Sequence, residues 1–250
     1  MRLPGAVLAL LVLLAGCGAP APDATVAVAS NFHDVALRLA ADYRAGGGGE
    51  LRLVSGSTGK LYAQIVAGAP FDAFLAADEA RPARLEEQGL AVAGSGFVYA
   101  VGRLCLWRPD APAGVDGAAL LAGDGYRRLA VANPELAPYG AAARATLEAL
   151  GARDALRNRL VMGENVGQAY ALVATGNADW GLVALAQLRM PGATPRACPW
   201  LVPADLHEPI RQRAVLLADA ASRPAARGFL DYLQSPAARA TIAAAGYDVD

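Results

Sequence analysis

The sequence predicts an α/β protein built on mainly parallel sheets with flanking helices, and three observations predict it. Short apolar runs alternate along the chain with segments whose apolar residues recur at helical spacing. The order is strand, helix, strand, helix, which produces parallel sheet. The 250 residues, 55% of them apolar, suffice to bury a large core in one large domain or two small ones.

Taken in order, Thr25 to Ala29 (TVAVA) reads as a strand, and Phe32, Val35, Ala36, Leu39, Ala40 and Tyr43 then fall on one face of a helix. Gly46 to Gly49 marks a surface turn. The run Leu51 to Val54 is the next strand, followed by SGSTGK and the helical stretch LYAQIVAG. Ala73 to Ala77 and Glu79 to Gln88 repeat the pair, as do Arg128 to Ala132 and a helix from Tyr139. The helix Val166 to Thr175, with Asn165 as its cap, precedes a strand at Gly181 to Ala184. Open sheets of this kind bind ligands at the carboxyl ends of their strands. Those loops are Ser30-Asn31, Ser55 to Thr58, Asn133 to Pro138 and Gly163 to Asn165.

Arg2, the apolar run Ala6 to Leu14 and the small residues after it form a secretory signal pattern, too short for a membrane span. Leu14-Ala15-Gly16-Cys17 resembles the lipobox of bacterial lipoproteins, so residues 1–16 are expected to be removed and Cys17 to be lipidated. Residues 17–23 would then be a Pro-rich tether at the membrane, in the periplasm or another extracytoplasmic space. The net charge of −1, with no basic cluster, excludes a protein that tracks nucleic acid. No CxxC or HxxxH spacing exists for zinc. Cys105 and Cys198 are compatible with a disulfide or with two buried thiols.

SGSTGK, Ser55 to Lys60, allows three readings. A phosphate-binding P-loop needs four residues between its glycines and a hydroxyl after the lysine; only two separate Gly56 from Gly59, and Leu61 follows Lys60. A nucleophilic serine needs a general base, and only His33 and His207 are available. His33 reads as an exposed polar residue of a first helical turn, and Asp205 stands awkwardly close to His207. The third reading needs neither base nor metal. Helix N-termini carry unpaired N–H groups and partial positive charge, so several converging on one point hold an anion without any basic side chain. Ser30, Asn31, Ser57, Thr58 and Tyr139 add side-chain donors in three of the four loops. Each loop alone is explained by ordinary capping; four together favour the anion.

At these residues the chain resembles the periplasmic molybdate-binding proteins of ABC importers. The resemblance runs through VAVASNF, SGSTGKLYAQIVAGAPFDAFLAAD, EEQGLAV, NPELAPYGAAA, GENVGQAYALVATGNADWGLVAL and VPADLHEPIRQRAVLL, most of the mature sequence. It implies a two-lobed periplasmic-binding-protein fold (type II), each lobe a mainly parallel sheet flanked by helices, joined by a strand hinge. The lobes would be 24–100 with 206–250, and 101–205. FVYAVGRLCLW and PIRQRAVLL would be the long strands at the hinge. The implied oxyanion contacts are Ser30 or Asn31, Ser57, Tyr139 and the backbone N–H of Val166, with Lys60 on the surface. Many members supply a tyrosine from the strand that here reads WGLVAL, with Ala184 in its place; the APYG subgroup supplies Tyr139 instead. The resemblance implies a monomer that is no enzyme and has no cofactor, and that captures molybdate or tungstate for an ABC permease. A binder of another oxyanion such as sulfate, and a secreted serine hydrolase, are the alternatives.

Overall fold

The computed structural model describes residues 21–189 and 196–249. The leader and Cys17 lie outside the described residues. The strands are β1 (Ala24–Ala29), β2 (Leu51–Gly56), β3 (Ala73–Leu75), β4 (Phe97–Gly102), β5 (Leu104–Trp107), β6 (Leu129–Ala132), β7 (Leu160–Gly163), β8 (Trp180–Ala184), β9 (Trp200–Leu201) and β10 (Ile210–Leu216). The helices are α1 (His33–Ala45), α2 (Thr58–Val66), α3 (Ala80–Glu87), α4 (Gly117–Ala122), α5 (Pro138–Ala149), α6 (Arg153–Leu156), α7 (Val166–Ala174), α8 (Pro224–Leu233) and α9 (Pro236–Ala244).

Two sheets result, ordered β2-β1-β3-β10-β4 and β7-β6-β8-β5-β9. Positions two, one and three of each are parallel, as the strand-helix alternation requires. The fourth position is antiparallel to both its neighbours. Strand-helix alternation alone gives only parallel pairs; the antiparallel strand has a different origin. β10 joins the first sheet after the chain has completed the second, and β5 joins the second directly after the first. Each therefore enters its sheet from the far side, with no crossover helix to reverse it. The stretch FVYAVGRLCLW is accordingly broken at Arg103, where the chain changes sheets.

Strand alternation sorts the core. Val26 and Val28 of β1 pack with Phe32, Leu39 and Phe229 under α1, α8 and α9, whereas Ala27 faces Leu61, Ile65 and Leu85 of α2 and α3. In the second sheet Leu129 and Val131 meet Tyr139 and Leu147 of α5, and Ala130 meets Ala169 and Val173 of α7. Being covered on both faces is why these central strands read as unbroken apolar runs. Cys105 of β5 and Cys198 form a disulfide, with Cα atoms 6.0 Å apart.

Candidate functional site

The strand-helix loops of both sheets meet in one cleft. Ser30 and Asn31 follow β1, Ser57 follows β2, Ala137 to Tyr139 open α5, and Asn165 and Val166 open α7. All of them line a space of about 10 Å3 together with Ala29, Gly56, Thr58 and Ala77. On a measure in which about 10–15 Å3 admits one water, this is room for one small ion, far below the range of about 300–1,000 Å3 typical of organic ligands. No charged side chain lines it. A larger cavity alongside is bordered by charges that pair with one another, Asp78 with Arg81 and Glu79 with Arg211.

Ordinary capping accounts for one of these loops and fails at another. Asn165 caps α7, its Oδ1 accepting from the Gln168 N–H at 3.0 Å. Ser57 occupies the same position on α2, yet its side chain makes no capping bond. Its Oγ is buried without a partner. So is the hydroxyl of Tyr139, on a side chain only 2% exposed. Buried polar atoms are nearly always paired, so two orphans on one small space call for a ligand that pairs them. Both are donors toward an anion, and they come from opposite sheets. Around them, the first N–H groups of α2, α5 and α7 lack intrahelical acceptors. Burial raises the Tyr139 hydroxyl well above the ordinary phenol pKa, with Tyr247 and Tyr99 acting the same way and the Gln212 and Asn31 amides opposing them. The phenol is therefore a hydrogen-bond donor at neutral pH.

Asn31 stands in the cleft with its side chain already engaged. Its Nδ2 donates to Gln212 Oε1 at 2.9 Å and to the Tyr247 hydroxyl at 3.0 Å, which uses both amide protons. What Asn31 can offer a bound anion is its backbone N–H. Ser30 Oγ accepts from the Gly167 N–H of α7 at 3.4 Å. Val166 is 2% exposed and is the first residue of α7; Gln187 Nε2 donates to its carbonyl at 3.3 Å, which fixes the helix start. Ala184 ends β8 fully buried, and Tyr139 packs in the same core cluster.

SGSTGK closes the cleft. The Gly59 N–H donates across it to the Leu136 carbonyl at 2.8 Å. A Cβ at Gly59 would lie 3.0 Å from that oxygen and 3.1 Å from the Leu136 Cα, so glycine permits the close approach. Lys60 does lie on the surface, 52% exposed, but its ammonium reaches over the cleft to Glu164 at 3.0 Å. Arg81 donates to the Glu135 carbonyl at 3.2 Å nearby. The two halves are thus in direct contact across the cleft.

The structure does not bring the parts of a serine hydrolase together at Ser57. Among the described residues its Oγ has no hydrogen-bond partner, a base included. His207 is half-buried, with Nδ1 against its neighbour's carbonyl, Glu208 O, at 2.7 Å. His33 is half-buried rather than exposed, because its Nδ1 is shut in at the start of α1, where it too lacks a partner. Sequence reasoning missed Gln212, Tyr99 and Tyr247, which form a polar layer beneath the cleft. One signal was available: in IRQRAVL, Gln212 shares the inward phase of the strand with Ile210 and Ala214, both buried.

Comparison with known proteins points the same way. The profile of a family described as bacterial extracellular solute-binding protein matches residues 24–248. The molybdate-binding protein ModA of Azotobacter vinelandii is 44% identical over 241 residues, covering 96% of this chain and 96% of that protein. ModA of Rhodobacter capsulatus is 41% identical, covering 97% of this chain and 95% of its own length. The solved structure of the Azotobacter vinelandii periplasmic molybdate-binding protein superposes with a TM-score of 0.86 at 40% identity, covering 91% of this chain and 99% of that one.

Proposed function

The chain belongs to the bacterial extracellular solute-binding proteins, within the molybdate-binding ModA family, and from that premise we propose that its cleft captures molybdate or tungstate and presents it to an ABC permease. The observation that carries this reading is that Ser57 and Tyr139, buried and facing one small uncharged space from opposite sheets, have no acceptor for their hydroxyl protons among the described residues. In the bound state Ser57 and Tyr139 donate through their hydroxyls, and Asn31 and Val166 through backbone N–H groups. Ser30 completes the ring from the first loop. Neutral, fixed donors hold a fully deprotonated tetrahedral dianion and leave a protonated oxyanion with an O–H that meets no acceptor. No cofactor takes part, and the oxygens of the anion, not the metal, meet the protein.

The two sheets with their helices act as lobes, close to the division of 24–100 with 206–250 and 101–205 read from the sequence, with the first lobe extended to Gly102 because β4 runs that far. A dianion touching Ser57 and Tyr139 bridges them, so binding favours closure, and the closed form is what the permease receives. The disulfide suits an oxidising compartment outside the cytoplasm. The leader and Cys17 further suit a monomer held at the membrane by lipid, and mass spectrometry of the mature N-terminus tests that part.

Calorimetric titration with molybdate, tungstate, sulfate and phosphate tests the reading. Tight binding of the first two and weak binding of the last two is expected. Equal affinity for sulfate would favour the broader oxyanion alternative, and no heat with any of the four would end the proposal.

A further inference from the structure

The polar layer under the cleft runs in one direction only. Tyr247 donates its hydroxyl proton to the Asn31 carbonyl at 2.8 Å. Its oxygen must therefore act as acceptor toward Asn31, which fixes Asn31 Nδ2 on that side, at 3.0 Å. The second proton of the same nitrogen then requires an acceptor at Gln212, and Oε1 lies 2.9 Å away. Tyr99 is compatible with this assignment without deciding it, since its one hydroxyl proton lies between Oε1 at 3.0 Å and the Ala76 carbonyl at 3.1 Å. With the oxygen of Gln212 so committed, its Nε2 must point the other way. There it is buried and without a partner, on a residue 0% exposed.

What Nε2 faces is Tyr139. A Cβ built on Gly102 would meet the Tyr139 hydroxyl oxygen at 2.1 Å and Gln212 Nε2 at 2.9 Å, so the two groups crowd one point above the Gly102 backbone. Both of Asn31's amide protons are spent elsewhere, which leaves Gln212 as the amide with a proton to offer this phenol. Burial holds the phenol in its protonated form. A hydroxyl whose oxygen accepts from an amide N–H has its own hydrogen free to point away from that amide.

We infer that Gln212 is a positioning residue of the oxyanion site: its Nε2, which stands beside the Tyr139 oxygen with neither atom hydrogen-bonded in the structure, donates to that oxygen when the anion is bound and so fixes the Tyr139 hydroxyl as a donor to it. The inference rests on the oxyanion reading and adds to it a residue that touches no ligand. It also assigns a purpose to the layer as a whole. Asn31, Tyr247 and Tyr99 hold the orientation of Gln212, and Gln212 holds that of Tyr139, which belongs to the other sheet.

The test is a double-mutant cycle read by calorimetric titration with molybdate on wild type, Gln212→Met, Tyr139→Phe and the double variant. Wild-type binding is the first arm, and its absence overturns the oxyanion reading and this inference together. With wild-type binding established, Tyr139→Phe is expected to weaken affinity by about tenfold or more. Gln212→Met should weaken it by a similar factor in the wild-type background but by less than about twofold when Tyr139 is already Phe. A purely structural Gln212 would cost the same factor in both backgrounds, and that result overturns the inference while leaving the oxyanion reading intact. No loss in the Gln212→Met single variant does the same. Should Gln212→Met not fold by circular dichroism, Gln212→Asn, which keeps the amide but withdraws it by one methylene, enters the same cycle under the same criteria.

Discussion

Replacing Gly102 by alanine probes closure without replacing any donor. Gly102 ends the last strand of the first sheet, and Tyr139 lies on α5 of the second half. In the closed arrangement the added methyl carbon would sit 2.1 Å from the Tyr139 oxygen and 2.9 Å from its Cζ. Ordinary carbon-oxygen contact needs more than an ångström beyond that shorter distance, and a ring only 2% exposed has nowhere to turn. Overpacking of this kind costs about 1–3 kcal/mol. If the free protein opens and separates the two groups, the Tyr139 share of this cost falls on the closed, liganded state, whereas the 2.9 Å contact with Gln212 Nε2, on the neighbouring strand of the same sheet, is present in both. Molybdate affinity should then drop by about five- to 150-fold, with the melting temperature of the ligand-free protein lowered only by the smaller Gln212 contact. Titration calorimetry and thermal unfolding measured side by side distinguish the outcomes. Unchanged affinity with a lowered melting temperature would refute the reasoning, because it would mean that Gly102 and Tyr139 meet in the free protein as well.

Two further expectations follow from the electrostatics. The Lys60–Glu164 pair across the cleft is 52% and 33% exposed, so Lys60→Met should weaken molybdate binding by no more than about fivefold. That loss should shrink between low and high salt in parallel titrations, and a salt-independent loss would assign Lys60 a direct role at the anion. The phenols of Tyr99, Tyr139 and Tyr247 are all raised above the ordinary value of 10.0, chiefly by burial. Above that value the unfolded chain releases these protons and the folded chain keeps them, so stability present below about pH 10 is lost as pH rises further. Melting curves between about pH 8 and pH 11 should show this decline, with molybdate affinity flat up to about pH 9; an affinity transition below pH 9 would contradict a protonated Tyr139 donor.

The alternation of apolar runs made most strands and helices legible, since each depends on neighbours in sequence. Asn165 was readable as a cap for the same reason: its acceptor role is met three residues on, at Gln168. What escaped depends on residues far apart. The place of β10 between β3 and β4 is set by the return of the chain from the second sheet, and nothing in IRQRAVL states the order of its neighbours. Lys60 read correctly as a surface residue, but Glu164 is 104 positions away, so the pair could not be seen. Ser57 sits where a serine ordinarily caps a helix, and only the coordinates separate a spent hydroxyl from a free one. Gln212 shows the opposite case: the inward phase of its strand marked it, but its partners Asn31 and Tyr99 lie 181 and 113 positions away.

The interleaving of β10 also sets an order of arrival. A chain that emerges N-terminus first presents β1, β2, β3 and β4 early, yet β3 and β4 do not pair with each other; both bond to β10. Until Ile210 to Leu216 appears, β3 has an open edge and β4 has no partner strand in its own sheet. The second sheet lacks this delay, because β5 to β9 lie in one continuous stretch from Leu104 to Leu201. The half that is interrupted in sequence should therefore be the last to consolidate, since its closing contacts span more than a hundred residues and carry the largest loop-closure cost. The late closure of the first half thus comes from topology rather than from any added signal.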